Sequence, residues 1–309
     1  MSINTTNVIY NIRIFGSAVG SGVATYMLAV IIYVASTLLW ALRWYLSLKR
    51  LGSRVTFLNV YTAIMGGILF NNITPSLKFG GEGFRAGWLR ATEDVPVERS
   101  FITIIYERVT EIPGVATVLV LALFSGTDRL STLAASLPAI VGLAHMPTMI
   151  RDKISSVKRR LGGDVRFLLR DWSLTLTASS IGIAIWLQDI ARFYLIASSL
   201  GVHLSLGNAA VLSLGYLLFG MGPTPGGIGF VEGGLVSILA AMGVPLNKAG
   251  LIVLGERLIS TVLASLLGVI LVLLRGGIKL FREASRIARE RKIVVGDAED
   301  STSIGLVYA

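Results

Sequence analysis

The sequence contains no cysteine and only two histidines in 309 residues, and charged side chains make up 15% of it, against about 25% in ordinary soluble domains. The absence of cysteine excludes disulfides, thiolate metal sites and cysteine nucleophiles. His145 and His203 stand at predicted helix ends with no second ligand at useful spacing, so neither a metal site nor histidine-based catalysis is expected. No cofactor is expected either. A secretory signal is also missing: residues 1–22 lack a basic leader region, and the apolar run after them is too long for a cleaved one. Val23 to Leu48 therefore reads as a retained first span, with residues 1–22 at the interface.

What the chain has in abundance is apolar sequence, with 53% hydrophobic residues and a mean hydropathy of +0.73. This composition identifies a polytopic membrane protein. Helical apolar runs fall at roughly 23–48, 55–75, 99–124, 131–150, 172–200, 204–222, 228–243 and 249–274. A span needs about 20 residues to cross the ~30 Å hydrocarbon core. The run at 228–243 is short, and the stretch at 80–91 is shorter still and carries Arg85 and Arg90.

Lysine and arginine exceed aspartate and glutamate by 28 to 18, and their distribution predicts orientation. Basic clusters at 49–54, 151–170 and 275–292 are expected to face the cytoplasm. The connections at 125–130, 201–207 and 244–248 hold only Arg129 and Lys248 and are expected to face outward. Counting crossings between these loops leaves residues 55–98 and 208–243 no choice but to enter the membrane and return to their own side.

Both returning segments contain glycine at the break. Gly80-Gly81-Glu82-Gly83-Phe84 follows an apolar run ending at Pro75, and Gly226-Gly227-Ile228-Gly229-Phe230 follows Gly222-Pro223-Thr224-Pro225. About 30 residues beyond each copy stands a Glu-Arg pair, Glu107-Arg108 and Glu256-Arg257. The expected fold is therefore an all-α polytopic membrane protein with an inverted-topology repeat and two re-entrant helical hairpins, an architecture of secondary transporters whose substrate site lies near the midplane. Repeat 1 covers about 55–124 and repeat 2 about 204–274, within a single membrane domain of residues 1–275. Residues 276–309 read as a basic amphipathic segment and a disordered cytoplasmic tail.

A helix that ends inside a bilayer leaves carbonyls that polar side chains such as Asn71, Asn72 and Thr74 can satisfy. The returning half-helix presents free N–H groups and the positive end of its dipole, which suits an anion such as phosphate. The candidate substrate-binding residues are Asn72, Gly80, Gly81, Glu82, Arg85, Glu107, Arg108 and Glu111 in the first half. Thr224, Gly226, Gly227, Glu232, Glu256 and Arg257 are their counterparts in the second. Charges this deep cost roughly 2.5 kcal/mol or more each near a helix centre, so they must face protein or water. The same applies to Asp189 and Arg192. Local or inter-half ion pairing is the alternative to a substrate role. Ile228 stands where Glu82 does and Val231 opposite Arg85, so the pseudo-symmetric site is expected to be lopsided, with more positive charge on the first hairpin. Arg43 and Trp44 read as snorkelling and interface anchors, with Arg43 pointing into the bundle as the alternative.

Pro75, Gly80-Gly81-Glu82, Arg85, Glu107-Arg108, Pro223-Thr224-Pro225-Gly226-Gly227-Ile228-Gly229, Glu232 and Glu256-Arg257 together resemble the lysylphosphatidylglycerol synthase transmembrane family over approximately residues 20–275. The Pro-Thr-Pro-Gly-Gly-Ile-Gly element is the most specific part. The resemblance implies a flippase-like fold with re-entrant helices that handles lipids with charged or glycosylated head groups. With under 40 residues after the membrane domain, no aminoacyl-transferase domain is expected, and the chain is not expected to be an enzyme. The expected function is translocation of a phosphate-bearing lipid across the cell membrane, with membrane lipids as partners, no nucleic acid, and a cytoplasmic C-terminus. A small-solute or ion transporter and a membrane-embedded lipid-modifying enzyme are the alternatives.

Overall fold

A computed structural model describes residues 5–75, 79–123 and 158–276. The expected span at 131–150, His145, the start of the basic middle loop and the tail from 277 lie outside the described residues. Every regular element among the described residues is helical. Helix α1 covers Thr5–Arg50, ending in the basic pair Lys49 and Arg50, which suits the negative end of its dipole. Residues 5–22 belong to this same helix, which no proline interrupts.

Helices α2 (Phe57–Ile73) and α3 (Phe79–Glu93) form an antiparallel pair. Proline at 75 forbids continuation of α2, and Thr74 closes it by donating its hydroxyl to the Phe70 carbonyl at 2.6 Å. Close packing of the pair depends on Gly66, whose missing Cβ would sit 2.1 Å from the Phe84 ring. Phe84 in turn stacks on Phe70 with centroids 4.5 Å apart. At the base of the pair, Glu93 accepts from the Thr56 amide at 3.1 Å, the Thr56 hydroxyl at 2.7 Å and the Asn59 amide group at 2.5 Å.

Helix α4 (Val97–Leu123) contains Pro113, about 1.7 turns beyond Glu107. Helix α5 (Lys158–Arg170) leads into α6 (Trp172–Ser199), capped by Asp171, whose carboxylate accepts from the Leu174 amide. Helices α7 (Leu206–Phe219) and α8 (Phe230–Ala241) form a second antiparallel pair joined by a 3-10 turn at Pro225–Gly227. Gly226, Gly227 and Gly229 have φ of 58°, 70° and 87°, which explains why this junction is built of glycine. Helix α9 (Leu246–Arg257) passes through a π-helical segment, Leu258–Leu263, into α10 (Ala264–Leu274). Both Glu-Arg pairs are thus followed by an irregularity of the helix, proline in one case and a widened turn in the other.

Among the described residues, three stretches are long and apolar enough to cross a membrane: Gly22–Arg50, Trp172–Ser199 and Leu246–Leu274. The helices of the two pairs are shorter. With 17, 15, 14 and 12 residues, α2, α3, α7 and α8 rise about 26, 22, 21 and 18 Å, each less than the ~30 Å hydrocarbon core. The core forms where α1 runs along α6, α4 packs on α6 and α7, and α10 packs on α2. Small residues permit these approaches, as expected where apolar burial alone does not drive association. Gly114 faces Gly182 across α4 and α6, and Gly268 lies against the Met65 carbonyl.

Candidate functional site

A cavity of about 210 Å³ opens between the two helical pairs and the long helices. Tyr33, Thr37 and Trp40 of α1 line it, with Asn71 and Asn72 at the end of α2, Glu82 and Arg85 of α3, and Arg108 and Glu111 of α4. Trp186, Asp189 and Arg192 of α6 form the opposite wall, with Tyr216 of α7 and Ser260 of the π segment.

Ion pairs hold these side chains in place. Arg85 bonds Glu107 at 2.5 Å and Glu82 at 3.3 Å, and its guanidinium lies 4.0 Å from the centroid of the Trp44 ring. Arg108 bonds Glu82 through one nitrogen and Glu111 at 3.2 Å through another. Arg43 stands 3.6 Å from the far oxygen of Glu107 and is 1% exposed, so it points into the bundle and does not snorkel. Across the cavity, Arg192 holds Glu256 through Nε and Nη2, both at 2.9 Å, and Asp189 through Nη1 at 2.6 Å. Arg257 pairs with Glu232 at 2.7 Å and donates to the Gly226 carbonyl at 3.0 Å.

The two halves share this wiring. In each, the arginine of the Glu-Arg pair holds a glutamate on the half-helix, Arg108 to Glu82 and Arg257 to Glu232. In each, the glutamate meets an arginine from a long helix that precedes the hairpin, Glu107 with Arg43 and Glu256 with Arg192. The lopsidedness expected from Ile228 and Val231 is therefore only partial, because Glu232, one turn further along, takes the part of Glu82. Arg43 and Arg192 both lie before the expected repeat boundaries.

The hairpin tips touch. Gly226 packs on the backbone of Asn72, where a Cβ would come within 3.2 Å of the Asn72 carbonyl. The Asn72 side chain donates to Ser265 at 3.0 Å and to the Thr261 carbonyl, in the π segment, at 3.4 Å.

Over residues 11–268 the chain matches the model of the lysylphosphatidylglycerol synthase TM region. The protein belongs to that family. It is 27% identical over 282 residues to a UPF0104 membrane protein of Methanocaldococcus jannaschii, covering 80% of this chain and 84% of the relative. A UPF0104 membrane protein of Pyrococcus horikoshii is 28% identical over 290 residues, covering 80% and 86%. No solved structure matches the chain.

Of the candidate residues in this member of the lysylphosphatidylglycerol synthase TM family, Asn72, Glu82, Arg85, Arg108 and Glu111 line the cavity. Glu107 and Glu256 stand behind its wall, each fixing an arginine that lines it. Gly80 and Gly81 open α3, and the Gly81 amide donates to the Asn71 side chain at 2.8 Å. Thr224, Gly226, Gly227, Glu232 and Arg257 gather at the second tip, beside Asn72 and outside the cavity lining. There the Gly229 amide donates to Glu232 at 2.6 Å. The Gly81 and Gly229 amides are thus engaged by the protein itself, and arginine side chains face the cavity.

Sequence reasoning did not count Asp189 and Arg192 among the candidate substrate-binding residues and missed the α1 wall. The signal for that wall was present: Tyr33, Thr37, Trp40 and Trp44 recur every three or four residues, one polar or aromatic stripe on an otherwise apolar span.

Proposed function

We propose that this protein is a lipid flippase that moves a phosphate-bearing head group through the cavity. The observation that carries the reading is a chamber lined by three arginines and three carboxylates within a membrane protein, at the meeting point of two short helical hairpins. Intramembrane charge that faces a cavity marks a substrate path. The volume of about 210 Å³ is below the ~300–1,000 Å³ of pockets that enclose a drug-sized ligand, so it suits a head group while acyl or isoprenoid tails stay in lipid. In this reading Arg85, Arg108 and Arg192 meet the phosphate, and Tyr33, Trp40 and Tyr216 border it.

The hairpins are re-entrant in this account, one from the cytoplasm and one from outside, and the two halves form an inverted-topology repeat. Support comes from helices too short to cross and from the shared ion-pair wiring. The C-terminus lies in the cytoplasm of a cell-membrane protein, by the clustering of basic residues.

Proteoliposomes carrying a fluorescent phosphatidylglycerol test the reading. Arg108, partly exposed on the cavity wall, is the residue to change. The wild-type protein is expected to expose inner-leaflet lipid to an external quencher, and Arg108→Ala to slow this at least tenfold. Equal rates in both, in folded protein, refute the role of the cavity. Uptake of a small phosphate ester with no lipid movement indicates a solute transporter instead.

A further inference from the structure

Arg192 is shared by two carboxylates, and this sharing has a consequence for how a lipid phosphate is moved, given the flippase reading above. In the first half, Arg43, Arg85 and Arg108 meet Glu82, Glu107 and Glu111, so the charges balance. Around Arg192 they do not. One guanidinium serves both Glu256 and Asp189, leaving one excess negative charge among the described residues. Glu256 is fully buried and takes a two-pronged bond, the stronger geometry for a guanidinium. Asp189 holds Nη1 alone and is 28% exposed on the cavity wall.

A second observation is that two residues lining the same cavity carry unmatched hydrogen-bond donors. The Trp186 indole N–H, one turn before Asp189 on α6, is buried and makes no hydrogen bond, and the Arg85 Nε does likewise. Both residues line the chamber. A buried donor left unmatched is costly, and a phosphate oxygen would relieve it. An anionic guest nevertheless meets the Asp189 carboxylate, which competes with it for Arg192.

We propose that Asp189 takes up one proton from solvent when a phosphate head group binds, so that Arg192 Nη1 passes from the carboxylate to the phosphate and lipid and proton move together. The step forms one O–H bond on a carboxylate oxygen and breaks no bond in the lipid. Asp189 stands out among the groups around the chamber. Glu82 on α3 is held by two arginines, Arg85 and Arg108, and Glu111 on α4 belongs to the balanced set. Glu256 on α9 is gripped twice by Arg192, and Tyr33 on α1 and Tyr216 on α7 are phenols, neutral at physiological pH. Intramembrane carboxylates of this kind serve as proton carriers in pumps and transporters.

Linkage makes the proposal measurable, because proton and anion must then strengthen each other's binding by the same factor. The full chain in nanodiscs is titrated with short-chain phosphatidylglycerol by calorimetry between pH 5 and 8, in two buffers of different ionisation heat. Wild-type protein is expected to take up close to one proton per lipid and to bind about tenfold more weakly for each pH unit of rise. Asp189→Asn is expected to bind with no proton uptake and no pH slope, while Asp189→Glu retains both. No uptake in the wild type, or undiminished uptake in Asp189→Asn, overturns the proposal; should Asp189→Asn fail to fold, the wild-type value decides. Dimethyl phosphate, which carries one fixed negative charge, separates the two readings. If it binds with one proton while phosphatidylglycerol does not bind, the coupling stands and the lipid reading falls.

Discussion

Removing the Arg192 side chain provides the sharpest test of how the chamber is held together. Glu256 is 0% exposed and has both carboxylate oxygens on Arg192 at 2.9 Å, so Arg192→Leu leaves a fully buried carboxylate without its cation and releases Asp189 as well. Stripping one partner from a buried pair costs about 3–5 kcal/mol, chiefly through the desolvated charge left behind. Replacing both partners by apolar groups of similar volume is often neutral. In Arg192→Leu/Glu256→Leu the buried charge is gone, and only Asp189, partly open to the chamber, has lost its partner. Thermal unfolding in detergent micelles, followed by the fluorescence of a thiol-free environmental dye, measures the difference. At about 2 °C per kcal/mol for a chain of this size, the single variant is expected to unfold roughly 6–10 °C below wild type, and the double variant to recover more than half of that. If the double variant is as unstable as the single one, the penalty arises from lost packing and the electrostatic argument fails.

Gly66→Ala places a methyl 2.1 Å from the Phe84 ring and is expected to destabilise the first hairpin by about 1–3 kcal/mol, seen as a lowered melting temperature. Gly226→Ala forces a left-handed φ of 58° on alanine at about 1–2 kcal/mol and crowds Asn72, so protease susceptibility of the second tip is expected to rise; unchanged cleavage would show that the tips need not touch. Partial burial works to raise the Glu93 carboxyl, but hydrogen bonds from Thr56 and Asn59 and the charge of Arg275 outweigh it and hold the group below its usual value. A lowered folded-state value means that this link stabilises above the ordinary carboxylate range and is lost as pH falls through the folded value. Glu93→Gln is therefore expected to melt slightly below wild type at pH 7, with the gap narrowing as pH falls below the ordinary carboxylate range.

Much of this organisation was legible in the chain itself, and the reasons differ between elements. The breaks at Pro75 and at Pro223 to Gly229 announce themselves because proline and glycine restrict the backbone locally, whatever surrounds them. The Glu-Arg pairs are conspicuous because charge is rare in apolar spans. Partner choice was not legible. Glu232 aligns with nothing charged in the first glycine element, yet it reaches Arg257 as Glu82 reaches Arg108, because the second turn adds a 3-10 segment that shifts the half-helix by a turn. Arg43 near a span end resembles a snorkelling side chain, and only the packing of α4 and α6 around it shows otherwise. The capped amide of Gly81 was likewise invisible, since Asn71 reaches it only when the chain folds back across the break, whereas Glu232 caps Gly229 from three residues on.

Among the described residues, no ion pair inside the bundle joins α1–α4 to α6–α10; each set of opposite charges closes on itself. Such a molecule has two separate electrostatic latches rather than a single clasp, with the exposed Arg50–Asp171 pair as the ion pair that joins the halves outside the bundle. If the protein moves lipid as proposed, one latch springing while its twin stays fastened is the route by which the chamber is unsealed at one end with the other end still bolted.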